Sequence, residues 1–296
     1  MADAAPRPAP TPAPDDTAPG HAADHAPDEA PRPTWRTVVP AAGVSLSAFL
    51  MFGAHVRPLA YVVLVAALGL AWALDRPLAR DLALIAVGIS IVSTTSMEAD
   101  VSWPRFVAIG VALTLAVATP VLVDRFVYRR RAIRFPWRTG ERWPTPEKAY
   151  LVAVPLLGWL ILPWYFISSG AYENWPHITD GSELARFFVG VNAVGTWDEL
   201  FFICTCFALL RRHFPVWLAN VLQATIFVSF LWELGYREWG PLLTVPFALL
   251  QGYIFARTKS LTYVLIVHLL FDAVVFLAIV HAHNPDMFAV FLTTGR

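Results

Sequence analysis

Long apolar runs alternate with short polar segments along most of the chain. Each run approaches the roughly 20 residues that a helix needs to cross the ~30 Å hydrocarbon core of a membrane. The runs cover residues 38–56, 58–74, 81–98, 104–127, 149–169, 184–210, 215–234, 240–256 and 261–281. This pattern predicts an all-α protein, a polytopic transmembrane bundle of eight or nine helices. The count depends on whether Gly53, His55 and Pro58 form a turn between the first two runs.

The amino-acid composition supports a membrane protein. Hydrophobic residues make up 57% of the chain and charged residues 15%, and the mean hydropathy is +0.54. A soluble domain of this size needs far fewer apolar residues, so the lipid bilayer is the expected environment. The formal net charge of zero indicates no particular partner. We expect no nucleic-acid binding, because membrane topology explains the basic loop.

The chain divides into four predicted segments. Residues 1–35 are rich in proline and alanine and have few large apolar side chains, which predicts a disordered cytoplasmic tail. Residues 36–140 are expected to hold the N-terminal transmembrane helices and a basic loop. A second helical bundle with several polar residues is expected over 145–284, followed by a C-terminal tail over 285–296.

The basic residues predict the orientation of the chain in the membrane. Arg and Lys precede the first run, separate the second from the third, fill the loop from Arg129 to Lys148 and follow the sixth and eighth runs. Cytoplasmic loops are enriched in Lys and Arg, and nine crossings with a cytoplasmic N-terminus place every cluster inside. The segments GAYENWPHITDGSE and HAHNPD then face outward, and neither contains Lys or Arg. We expect an integral protein of a bacterial plasma membrane.

Two adjacent carboxylates, Asp198 and Glu199, lie inside the sixth apolar run. At ~1.5 Å per residue they lie roughly 18–20 Å from the inner membrane boundary, which is near Arg212. Ionisable side chains at this depth are costly and usually mark a functional site. Adjacent helical residues point about 100° apart, so one carboxylate can face a cavity while the other contacts a neighbouring helix. A hydrogen-bonded pair that only locks helices together is the structural alternative.

Three further ionisable residues lie in the last apolar runs. His268 and Asp272 are four residues apart, which places them on one face of a helix, where the aspartate can orient the imidazole. The alternative is a core histidine with a structural partner. Glu233 comes near the outer end of its run, where a carboxylate can also simply reach water.

The paired acids and the stretch GYIFARTKSLTYVLIVHLLFD resemble the intramembrane CAAX prenyl protease and bacteriocin-processing family, also called the CPBP or Abi family. The resemblance covers roughly residues 150–283. The family pattern is Glu-Glu-x-x-x-Arg, Phe-x-x-x-His and His-x-x-x-Asn/Asp on three helices of a membrane bundle. The resemblance implies that the first acid and the middle histidine activate a water for peptide hydrolysis. It also implies that the last histidine and its partner stabilise the oxyanion.

On this resemblance, Asp198 takes the position of the first family acid and Glu199 that of the second. His268 and Asp272 take the positions of the last motif. Glu233 is the polar residue nearest in spacing to the middle histidine. In a separate departure from the family pattern, Ile203 stands where the family has its arginine.

These residues allow two interpretations of the chemistry at the site. Asp198, Glu199 and His268 can supply three ligands of a hydrolytic divalent metal such as zinc, or the same groups can abstract a proton from water directly. The predicted function is an intramembrane endopeptidase that cleaves a membrane or membrane-associated peptide. One alternative is an inactive relative that binds or sequesters such peptides. Another is a proton-coupled transporter that uses the buried acids as a relay.

Overall fold

The apolar runs form nine long helices in the described part of the chain. The computed structural model describes residues 32–137, 143–178 and 180–293. The helices are α1 (Trp35–Gly53), α2 (Arg57–Leu74), α3 (Arg76–Val92), α4 (Trp103–Val127), α5 (Thr145–Ser169), α6 (Gly181–Leu210), α7 (Val216–Leu234), α8 (Pro241–Thr258) and α9 (Leu261–His283). The predicted all-α class and polytopic helical bundle are confirmed.

Seven of these helices are long and apolar enough to cross a membrane. The exceptions are α3 and α8. Helix α3 has 17 residues, and α8 carries the buried polar side chains of Thr244 and Gln251 within its 18 residues. The protein is therefore an integral membrane protein, while the crossing of the bilayer by α3 and α8 stays a prediction.

The segment between the first two runs is a turn. Helix α1 ends in π-helical conformation at Gly53, and α2 begins at Arg57. Between them His55 has φ of 57°, a left-handed conformation that stops a helix. Pro58 follows in the first turn of α2, where its missing N–H removes no helical hydrogen bond.

Capping residues begin and end several of the helices. Asp75 caps α3 by accepting a hydrogen bond from the backbone N–H of Leu78 at 2.9 Å. Asp180 caps α6 by accepting from the N–H groups of Glu183 and Ser182. These hydrogen bonds, that from Glu183 foremost, lower the pKa of Asp180 below its ordinary value. Helix α5 ends at Gly170, whose φ of 74° favours glycine.

The two predicted tails are described only in part. Of the predicted disordered tail, residues 1–31 lie outside the described residues, and Trp35 already belongs to α1. Of the predicted C-terminal tail, residues 285–293 are described, and the backbone carbonyl of Val290 accepts a hydrogen bond from Trp159 of α5 at 3.0 Å. The division of the helices at residues 140–145 stays a prediction.

The N-terminal helices pack against the C-terminal bundle. Ser45 on α1 donates a hydrogen bond to the carbonyl of Leu222 on α7, at 3.0 Å. Phe52 and Phe230 pack edge to face between the same two helices. Deeper in the bundle, α9 packs against both α5 and α6, and α7 packs against α8. The predicted site residues of α6 and α9 consequently meet in the interior.

A buried ion-pair network lies at the end of the bundle that carries the basic loop. Asp81 on α3 accepts from Arg130, from Arg212 at 2.9 Å and from the ring of His213 at 2.8 Å. Arg130 also donates to Asp124 at 2.6 Å. Asp81 and Asp124 are both buried. The basic loop is therefore part of the packed structure as well as a signal of orientation.

Candidate active site

His268 on α9 stands among three carboxylates. Its Nδ1 lies 2.7 Å from Glu199 Oε1. On the other side of the ring, Nε2 lies 3.7 Å from Asp198 Oδ2 and 3.7 Å from Asp272 Oδ1. All four side chains are buried. The structure thus brings together four of the five residues that the sequence singled out.

Helix α6 changes conformation at its two acids. It is α-helical up to Asp198 and π-helical from Glu199 to Phe207. The hydroxyl of Thr205 donates to the carbonyl of Leu200 at 2.9 Å within this π-helical stretch. π-Helical turns inside α-helices are frequent at functional sites. Here Asp198 lines a cavity, and Glu199 contacts α8 and α9.

Gln251 on α8 is a hydrogen-bond partner of Glu199. Its side-chain amide donates to Glu199 Oε1 at 2.6 Å and lies 3.3 Å from the carbonyl of Val264. The Gln251 side chain is fully buried. Gln251 was not among the predicted site residues, although a lone glutamine inside the apolar run 240–256 was the available signal.

Gly195 lets α9 approach α6 at the site. A Cβ atom at this position would lie 1.8 Å from Asp272 Oδ2 and 3.1 Å from His268 Cδ2. Any larger residue at position 195 would therefore displace the side chains of His268 and Asp272. Small residues are common where membrane helices approach closely, but the sequence alone does not say which glycine faces which helix.

Aromatic rings enclose the imidazole. The ring of Phe247 packs edge to face on His268 with 5.1 Å between centroids, and that of Phe227 lies at 6.3 Å. Phe247 also stacks on Phe271 at 4.9 Å. These contacts hold the ring plane of His268 and keep its surroundings apolar, which strengthens its charged interactions.

A cavity of about 330 Å³ ends at the site. Asp198, His268 and Asp272 contribute to its wall, which is otherwise mostly apolar and comes from α4, α6 and α7. Within the described part of the chain, Asp198 Oδ1 and Asp272 Oδ2 are buried without a hydrogen-bond partner. Buried carboxylate oxygens normally accept hydrogen bonds. These two are therefore suited to accept from a water or a substrate in the cavity.

Glu233 does not lie with these residues, and its predicted place in the site is corrected. Its Oε1 accepts from the backbone N–H of Met97 at 3.2 Å and lies 3.8 Å from the guanidinium of Arg57. The reason is the direction of its side chain, because Leu231 and Leu234 on the same helix line the cavity with His268, whereas the Glu233 carboxylate is directed to Arg57 and the backbone of Met97. Leu231, four residues after Phe227, lines the cavity instead.

The predicted zinc ligands do not converge on one point. Glu199 contacts Nδ1 of His268 whereas Asp198 lies on the Nε2 side, and a zinc ion needs its ligands around a single centre. Across residues 32–137, 143–178 and 180–293, no group of three or more His, Cys, Asp or Glu side chains is placed to hold a metal ion. One imidazole and three carboxyl groups can also take up and release a proton.

Comparison with known proteins identifies one family. Residues 180–274 match the model of the family described as type II CAAX prenyl endopeptidase Rce1-like. This segment holds the whole cluster, from Asp198 and Glu199 on α6 to His268 and Asp272 on α9, together with Gln251. The resemblance noted in the sequence is confirmed over this segment. No curated protein and no solved structure matches the chain.

Proposed function

Because segment 180–274 is of the type II CAAX prenyl endopeptidase Rce1-like family, we propose that this protein is an intramembrane endopeptidase. One observation carries the proposal. His268 is held between Glu199 on one side and Asp198 and Asp272 on the other, at the closed end of an apolar cavity. The substrate is a membrane or membrane-associated polypeptide, and the protein resides in a bacterial plasma membrane with its N-terminus in the cytoplasm.

Asp198 is the proposed general base. Its Oδ1 is buried, faces the cavity and has no donor among the described residues, so it can accept a proton from a water placed there. The oxygen of that water forms a bond to the carbonyl carbon of the peptide. The proton held by Asp198 then passes to the amide nitrogen as the C–N bond breaks. The products are a new carboxyl terminus and a new amino terminus.

His268 is the proposed donor to the oxyanion. Its Nδ1 N–H donates to Glu199 at 2.7 Å, and Gln251 fixes that carboxylate by donating to the same oxygen. In the protonated imidazole Nε2 also carries a hydrogen, and this N–H faces the cavity and can donate to the carbonyl oxygen as negative charge develops on it. Asp272, 3.7 Å from Nε2, helps to stabilise the charge of the imidazolium.

The cavity limits what can bind. Its volume of about 330 Å³ is at the lower end of the range for small-ligand sites, which is about 300–1,000 Å³. Its polar groups lie mainly at the site, so an apolar stretch of polypeptide fits along the wall with one peptide bond at Asp198 and His268. The exposed apolar side chains of α4 and α6, among them Val107 and Val189, face the lipid around it.

The alternative function is binding of a peptide without cleavage. It is favoured by the absence of a histidine from α7, the helix that carries the Phe residues of the middle motif, and by Ile203 at the place of the motif arginine. The two functions differ in their response to an isosteric change. A binding protein tolerates Asp198→Asn, whereas the peptidase loses its base.

The test compares membranes that contain the wild type or Asp198→Asn at equal abundance. Mass spectrometry then identifies peptides with new termini. The peptidase predicts a set of termini present with the wild type and absent with Asp198→Asn, while both proteins stay folded in detergent. Identical sets would reject cleavage and leave the binding function.

A further inference from the structure

The cavity extends from the site toward one end of the bundle. Its wall at that end comes from the α3–α4 segment around Asp100, from Trp175 before α6 and from Tyr236 after α7. Helices α4 and α6 both begin at this end, at Trp103 and Gly181. The mouth of the cavity is therefore formed by the loops that connect these helices.

The basic clusters lie at the other end of the same helices. Arg129, Arg130 and Arg131 follow α4, and Arg211 and Arg212 follow α6. Cytoplasmic ends of membrane helices are enriched in Lys and Arg. The mouth of the cavity therefore faces the outer side of the membrane, defined here as the side opposite these clusters.

A polar layer joins α7 and α8 on the cytoplasmic side of the site. Gln223 donates to Asn220 at 2.8 Å and to the carbonyl of Ala248 at 3.0 Å. A Cβ atom at Gly252 would lie only 2.0 Å from the side-chain oxygen of Asn220, so the two helices are in close contact here. A polypeptide cannot reach His268 through this contact.

Two side chains hold the backbone at the rim of the cavity mouth by hydrogen bonds. Arg186 on α6 donates to the carbonyl of Val101 at 2.6 Å, and its guanidinium lies 4.9 Å from the ring centre of Trp103. Glu233 on α7 accepts from the N–H of Met97 at 3.2 Å. Met97 and Val101 both line the cavity. The contacts of Glu233 give this buried acid a positioning role at the rim.

The seam of the cavity wall between α4 and α6 carries two glycines. Gly110 and Gly190 lie on the facing sides of these helices. A Cβ atom at Gly110 would meet nothing within 4 Å, and one at Gly190 would only touch Phe106 at 3.6 Å. This seam gives an apolar segment that already lies in the bilayer a path to the site.

We infer that the protein takes its substrate from the outer half of the membrane, as an apolar segment of an exported or membrane-inserted polypeptide. This inference rests on the proposed peptidase function and adds the side and the class of substrate. A soluble peptide that carries its cleavage site in the cytoplasm would meet the end of the bundle opposite the mouth.

The side of the mouth is tested by labelling of introduced cysteines, which needs no cleavage. The native Cys204 and Cys206 are buried and can be retained. The variants are Asp100→Cys at the mouth and Arg131→Cys at the basic end. A membrane-impermeant maleimide should label Asp100→Cys only in right-side-out vesicles and Arg131→Cys only in inverted vesicles. The opposite pattern, or labelling of both variants from one side, would overturn the inference.

The path of the substrate is tested by filling the seam. Gly110→Leu should reduce the formation of new termini at least tenfold. The matched control is Gly69→Leu on α2, where a Cβ atom also meets nothing within 4 Å, and it should cleave like the wild type. Full cleavage by folded Gly110→Leu would overturn the path through the seam. Termini that belong mainly to cytoplasmic peptides would overturn the substrate class while leaving the peptidase intact.

Discussion

Glu199 on α6 and His268 on α9 are joined by a contact of 2.7 Å between Oε1 and Nδ1, and this contact fixes which edge of the imidazole faces the cavity. A protonated histidine donates from both ring nitrogens, so a carboxylate that accepts at one nitrogen leaves the other free to donate elsewhere. With Glu199 on Nδ1, Nε2 is directed toward Asp198 and Asp272. Glu199 therefore acts through His268 and not on the substrate.

Glu199→Gln removes the charge that holds His268 while keeping the size of the side chain. We expect the rate of cleavage to fall about 100-fold or more, in line with the usual contribution of ~10²–10⁴ from a positioned acid–base group. Counting of new peptide termini in membranes measures the effect. The exposed carboxylate of Glu173 supplies the control, because Glu173→Gln should cleave normally. Normal cleavage by folded Glu199→Gln would remove Glu199 from the mechanism.

Gly195→Ala places a methyl group against Asp272 and His268. We expect a loss of about 1–3 kcal/mol in the free energy of unfolding, typical of overpacked interiors, together with loss of cleavage. Thermal unfolding in detergent and the terminus count measure the two effects. Gly158→Ala is the matched control on α5, where a Cβ atom would make ordinary 3.6 Å contacts with Leu162 and Val274. If both variants behave alike, the close approach of α9 at Gly195 is wrong.

Arg130→Ala breaks the ion-pair network at the end of the bundle that carries the basic loop. The buried carboxylates of Asp81 and Asp124 would lose their shared partner, and breaking a buried pair typically costs about 3–5 kcal/mol. We expect the lower end of that range, because Arg130 is 22% exposed. Chemical unfolding in detergent measures the loss. The neighbouring exposed Arg131 serves for comparison, and Arg131→Ala should stay within about 0.5 kcal/mol of the wild type.

Glu233→Ala removes the hydrogen bond to the backbone N–H of Met97 at the rim of the cavity mouth. It leaves the cluster around His268 in place. With a purified peptide substrate, we expect KM to rise several-fold and kcat to change much less, because Glu233 positions the rim and does not touch the reacting atoms. The purified protein in liposomes allows both constants to be measured. A fall in kcat as large as that of Asp198→Asn, with KM unchanged, would return Glu233 to the chemistry.

The sequence predicted the site through charge in an apolar setting. Asp198, Glu199, His268 and Asp272 stand out because ionisable residues are rare inside membrane helices, and the structure brings all four together. Gly195 and Gln251 could not be found this way. Their roles depend on which helices face each other, and this is decided by tertiary packing.

The predicted zinc site likewise depended on tertiary packing, which residue types alone do not show. Residue types alone made Asp198, Glu199 and His268 a reasonable ligand set. Only the position of the imidazole between the two acids, with one acid at each ring nitrogen, shows that they do not share a centre. The change to π-helical conformation after Asp198 was likewise not visible in the residue pattern.

Cleavage itself is tested most directly by the source of the oxygen in the new carboxyl termini. Membranes containing the wild type or His268→Gln are incubated in water labelled with heavy oxygen, and the peptides are analysed by mass spectrometry. We expect labelled new termini with the wild type and at least a 100-fold loss of them with folded His268→Gln, in line with the ~10²–10⁴ of a positioned catalytic group. Equal amounts of labelled termini in both samples would contradict hydrolysis at the site formed by Asp198, Glu199, His268 and Asp272.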